Sequence, residues 1–137
     1  MRLTANHVRT RLNAANPGLF THSNGLRLII DFTADEDFNT EGVYIARPDV
    51  NTNLQVATLG NAVTVYDEET LFDIKMVVGI NNSNDSDARV AIESLVTDSM
   101  FDDFYSRSFV VDETYNQSNI SFDYTFQFNR TIVKGDT

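Results

Sequence analysis

Near the end of the chain, Ile120, Phe122, Tyr124, Phe126 and Phe128 alternate with Ser121, Asp123, Thr125, Gln127 and Asn129. No other stretch constrains the fold as strongly. Successive side chains of a strand point to opposite faces, so the pattern predicts one long β-strand with a buried aromatic face and a wet polar face. A strand of that length needs paired or covered edges, and so belongs to a sheet that carries a whole domain.

The elements before it follow from local patterns. Thr4 suits an N-cap, and Ala5, Val8, Leu12 and Ala15 form one apolar stripe, so residues 4–15 read as a short helix stopped by Asn16-Pro17-Gly18. Leu26, Leu28, Ile30 and Phe32 alternate as a first strand, followed by an acidic loop over 33–41. Residues 43–47 form a second strand. Pro48 to Asn53 carry turn chemistry, and 54–58 make a short edge strand broken at Gly60-Asn61. Residues 62–66 pair with 71–80 as a hairpin across Asp67-Glu68-Glu69. Val77 and Leu71, opposite the apolar face, make its second strand central. A polar loop, 81–86, leads into the main helix over 87–104, capped by Ser86 or Asp85. A strand over 108–113 and a turn at 116–119 precede the last strand. The expectation is an α+β domain: a mainly antiparallel sheet with one long helix and one short N-terminal helix packed on one face.

Length allows a single domain over 1–137 with a core that needs no staples. There is no Cys, so disulfides and thiolate metal sites are excluded, which fits a reducing compartment. The first residues lack the apolar run of a signal peptide, and no span suits a membrane, so the chain is expected to be soluble and not exported by the general route. The formal charge of −10 disfavours ordinary nucleic-acid binding, because such a surface repels phosphates. It still permits a wall along which DNA slides without sticking.

Candidate chemistry is sparse. His7 and His22 have no third nitrogen ligand and read as solvated surface. Asn82 to Glu93 has oxygen-bearing residues at alternate positions and a Glu twelfth, but Asp87 stands where a calcium loop needs Gly, so a helix cap is the preferred reading. Glycoside chemistry lacks Trp platforms, nucleophile motifs are absent, and the glycines are scattered. Arg2, Arg9 and Arg11 could meet an acidic partner, and a solvated helix face is preferred. No catalytic residue, cofactor or metal is assigned. The expectation is a protein that is not an enzyme.

The stretches Thr4–Ala15, Leu71–Ile80 into Asp87–Phe104, and Ile120–Val133 together resemble, as a pattern, the tail terminator (tail completion) proteins of tailed bacteriophages, the minor tail protein U group. The group has no diagnostic motif, so no functional residue carries over. The resemblance implies a virion protein of the tail or neck, assembled in the bacterial host cytoplasm. It implies a self-ring, usually a hexamer, that caps the tail tube protein, stops its polymerisation and presents a surface to a head-completion or connector protein. DNA would pass through the lumen. A closed ring needs a heterologous interface. Phe38, Val50, Leu54, Val56 and Tyr115 are the candidates, and Asp35, Glu36 and Asp37 are expected to face the lumen. The alternatives are another head–tail connector, stopper or tail-tube-like protein, or, in a different class, a small α+β enzyme or ligand-binding domain with a cone-like pocket. That last reading needs Asp31, Asp73 or Asp123 in an apolar pocket. An acidic DNA mimic would need carboxylates spaced along one face, whereas here they cluster in predicted loops.

Overall fold

The computed structural model describes residues 2–30, 32, 40–57 and 64–134, the side chains of 54–57, 64 and 134 excepted. Helix α1 spans Ala5–Ala15. His7 N–H donates to Thr4 Oγ1 and Thr4 N–H donates to His7 Nδ1, a reciprocal cap in which histidine takes the place usual for Glu or Gln. Val8 and Leu12 on the apolar stripe are fully buried.

The strands are β1 (Leu28–Ile29), β2 (Gly42–Ile45), β3 (Asp49–Ala57), β4 (Thr64–Gly79), β5 (Ser106–Tyr115) and β6 (Asn119–Lys134). They form one sheet in the order β1-β2-β4-β6-β5, with β3 also on β4. Among the described strands β1–β2 is parallel and the remaining pairs are antiparallel. Helix α2 (Asp85–Glu93) and two 3₁₀ turns, Ser94–Val96 and Ser99–Phe101, complete the fold. The fold is α+β, as the alternation and helical stripes predicted. One core joins Val8 and Leu12 of α1, Ala88 and Ile92 of α2, and the even-numbered residues Phe72 to Val78 of β4 and Phe122 to Phe128 of β6.

Several boundaries differ from expectation. The first strand is confined to β1. Residues 49–57, predicted as a turn followed by an edge strand, are one strand, β3, which pairs with β4 from Asp49↔Leu71 to Ala57↔Thr64. Asn51, Thr52 and Asn53 favour turns in isolation, but a long partner strand supplies their backbone hydrogen bonds. The predicted hairpin across Asp67-Glu68-Glu69 does not exist, since β4 runs straight through it. Glu68 is held mid-strand by Arg130 directly opposite, Nε to Oε1 2.7 Å. The real hairpin joins β3 to β4. The longer helical run begins at Asp85, and regular α-helix ends at Glu93 rather than Phe104. Ser94 Oγ and Thr97 Oγ1 donate to the carbonyls of Ala91 and Ser94, and Asp98 restarts the chain by accepting from Met100 N–H. Asn84 occupies the N-cap of α2 without a side-chain cap bond, while Asp85 and Asp87 lie in the first turn, where the helix dipole favours them.

Candidate functional site

The parity of the strands divides the sheet into unlike faces. Even-numbered residues of β4 and β6 meet the helices. Odd-numbered residues, with those directly opposite them, form a face that no described helix covers. Along β3, β4, β5 and β6 this face carries Asp49, Asp67, Glu69, Asp73, Asp112 and Asp123. Lys75 is the one cation among its described strand residues. Its other members include the polar Asn51, Ser108, Ser121, Thr125, Gln127 and Asn129 and the apolar Leu71, Val77, Val110 and Val133, of which Val77 is buried.

These carboxylates are held by the sheet rather than by loops. Thr131 Oγ1 donates to Asp67 at 3.2 Å and Gln127 Nε2 donates to Glu69 at 3.2 Å. Asp112 stands directly opposite Asp123, a like-charge pair that opposes pairing, and Lys75 Nζ lies 4.0 Å from Asp123 Oδ1. Asp73 is exposed. A shallow cleft of about 280 Å³ opens here, lined by Phe32, Tyr44, Asp73, Lys75, Asp123 and Thr125. Phe32 meets the buried Tyr44 edge to face, centroids 5.8 Å apart, and the Tyr44 hydroxyl donates to the Thr40 carbonyl.

A second polar cluster lies on the helix side. The buried Tyr124 hydroxyl donates to Glu93 Oε2 at 2.8 Å and accepts from Arg89 Nε at 3.4 Å. Burial, above all, pushes the Tyr124 phenol up to about 12. The Tyr124 contact also leads in holding the Arg89 guanidinium above its ordinary range. Arg89 covers the Phe122 ring at 4.6 Å and reaches Glu113, whose carboxylate accepts from the exposed Tyr115 hydroxyl. The cluster fastens α2 to β5 and β6.

The residues expected to matter are scattered by the fold. Asp35, Glu36, Asp37, Phe38 and Asp31 lie outside the described residues. Val50 is half-buried on the helix-side face of β3; the backbones of Leu54 and Val56 follow it on the same strand. Tyr115 ends β5 on the opposite flank of the sheet. His7 caps α1, and His22 is exposed in a turn. Arg11 is not a solvated helix residue: its Nε donates to the buried carboxylate of Asp98. Oxygens of 82–93 do not converge. Asn82 Oδ1 accepts from Asn84 N–H, while Glu93 is engaged with Tyr124. Among the described residues no three His, Cys, Asp or Glu side chains gather to hold a metal, and no helix is long and apolar enough to cross a membrane.

The acidic face was missed in the sequence because Asp67-Glu68-Glu69 reads as a turn. Taken as strand, its parity puts Asp67 and Glu69 in line with Asp73. Compared with known proteins, the chain matches no protein-family model and no curated protein sequence.

Proposed function

We propose that this chain is a structural virion protein of a bacteriophage tail or neck, a ring-forming tail terminator. In this reading it closes on itself, as a hexamer in the family it resembles, and caps the tail tube. It stops tube polymerisation and offers the head side a joining surface. The observation that carries the reading is the helix-free sheet face. Asp49, Asp67, Glu69, Asp73, Asp112 and Asp123 against Lys75 suit a wall past which DNA moves without binding, since fixed carboxylates repel phosphates. The candidate contacts also fit a heterologous interface: Val50, Leu54 and Val56 lie on one flank of the sheet and Tyr115 on the other. The lumen role first expected of Asp35, Glu36 and Asp37 extends in this proposal to the strand carboxylates.

The test is the absolute mass of the purified chain by light scattering, followed by electron microscopy with purified tail tubes. A ring, free or seated on tube ends, supports the reading; bare tube ends that keep growing overturn it. A variant with Asp67→Asn, Glu69→Gln and Asp73→Lys should still assemble but slow DNA release. The 280 Å³ cleft beside Phe32 and Tyr44 favours a second reading, a small-ligand domain. That reading gains only if tubes stay uncapped and a ligand perturbs Tyr44.

A further inference from the structure

Strand β5 pairs with β6 alone among the described residues, so its other edge presents a row of unpaired backbone groups. The hairpin fixes which groups these are. Asn116 N–H donates to the Asn119 carbonyl, and the register from Tyr115↔Ile120 to Ser106↔Asn129 then alternates from that bonded pair. The even-numbered residues of β5 therefore bond to β6. Arg107, Phe109, Val111, Glu113 and Tyr115 turn their N–H and C=O outward. The bond from Ile80 N–H to the Ser118 carbonyl gives the same parity from the other side of β6.

Natural edges are usually blunted by lysine, proline or a short length. This one spans ten residues, has neither Lys nor Pro, and carries its charges, Arg107, Asp112 and Glu113, away from its central Phe109-Val110-Val111. It also exposes Val110 (67%) and Tyr115 (63%).

We propose that β5 is a self-complementary edge through which two copies of this chain pair antiparallel about a two-fold axis at Val110. Antiparallel bonding requires outward-facing residues to meet outward-facing residues, so only registers pairing odd with odd positions are open. Centred on Val110, that register sets Phe109 against Val111 and brings Glu113 opposite Arg107, whose guanidinium donates to the Asp98 carbonyl and lies 3.3 Å from Asp102, each pair occurring twice by symmetry. On the opposite face Ser108 meets Asp112, and the two exposed Val110 side chains meet each other. The neighbouring allowed registers are worse. Centring on Val111 sets Val110 against Asp112 and Phe109 against Glu113. Centring on Phe109 sets Val110 against Ser108 and leaves Arg107 opposite Val111. Apolar matching at Val110 and between Phe109 and Val111, with no like charges opposed, thus selects one register and one partner, a second copy.

The pairing extends the sheet and lays the two acidic faces side by side, so it should tighten as salt rises and screens their repulsion. It does not rest on the ring reading. A ring closing through the β5 flank would first have to release the pair, which would hold free subunits apart from premature assembly.

The chain has no cysteine, which makes the register directly testable. Residues at a non-hydrogen-bonded antiparallel pair have Cα atoms about 4.5 Å apart, inside the range a disulfide spans. Under mild oxidation Val110→Cys should give a covalent dimer. Ser108→Cys, whose two copies are offset along the strand, should cross-link on the order of a hundredfold more slowly, because pairing raises the local thiol concentration only at the axis. Val110→Asp should give the monomer mass while keeping its circular dichroism. Equal cross-linking at 108 and 110, or a native chain that is monomeric at every concentration and salt, would overturn the proposal. A mass near six subunits with no Val110→Cys cross-link would overturn it too and leave the ring reading standing. A cross-linked dimer that never caps tubes would uphold the pairing and sink the ring.

Discussion

Removing Arg130 tests what anchors the far half of the sheet to its core. Its guanidinium sits 2.7 Å from Glu68, with side chains only 13% and 6% exposed, and it lies over the Phe104 ring at 5.4 Å. Arg130→Ala strands a buried carboxylate between Thr70 and Tyr66. Breaking such a pair costs roughly 3–5 kcal/mol. The residual exposure of Arg130 argues for the lower end, about 3 kcal/mol, and the lost ring contact adds about 0.5 kcal/mol. With a urea slope of about 2 kcal/mol per M, the midpoint should fall by about 1.7 M. The double variant Glu68→Leu with Arg130→Leu removes both charges and should cost about 1 kcal/mol or less, because apolar replacement of a buried pair is often neutral. Equilibrium urea unfolding of Glu68→Leu, Arg130→Leu and the double variant measures the coupling. A midpoint shift below about 0.5 M for Arg130→Ala, or a double variant as unstable as the singles, would refute the picture of a desolvated, mutually dependent pair.

Tyr124 should give stability a high-pH limb. Its phenol, ordinarily near 10, is pushed up to about 12, so its contribution is complete below pH 10 and lost as pH rises from 10 through about 12. Unfolding followed from pH 9 to 12 should show this fall, and Tyr124→Phe should flatten it. Thr70 Oγ1 is buried with no hydrogen-bond partner among the described residues, so Thr70→Val should raise stability by about 1 kcal/mol in thermal unfolding. Asp112→Asn removes the like-charge pair with Asp123 and should stabilise by ~0.3 kcal/mol in low salt, a gain that fades with added salt.

How far the sequence could be read depended on whether a segment's own pattern agreed with its place in the sheet. The aromatic alternation of β6, the turn at 116–119 and the stripe of α1 were legible because local propensity and tertiary role coincide there. The middle of β4 was not, because Asp67-Glu68-Glu69 is turn-like alone and becomes strand only when Arg130 and Asn129 stand opposite. Strand β3 was hidden for the same reason. The end of α2 at Glu93 was hidden because Met100, Phe101 and Phe104 prolong the helical pattern although Ser94, Thr97 and Asp98 divert the backbone. The acidic face needed the correct parity of β4, so one misplaced turn concealed it. The ion pair of Arg11 with Asp98 joins residues far apart in the chain, and no local spacing signals it.

Strand β6, the last in chain order, lies between β4 and β5 in the middle of the sheet. During synthesis the β3–β4 hairpin, α2 and β5 all leave the ribosome before the strand that unites them. Until β6 arrives, the Phe72-to-Val78 face lacks its aromatic partners, and β5 has neither edge paired. Most contacts of the sheet then form together and late, between segments distant in sequence, which makes folding slow and leaves its precursors sticky. Nascent chains stalled before residue 119 should recruit chaperones, and emergence of β6 should mark a single late collapse.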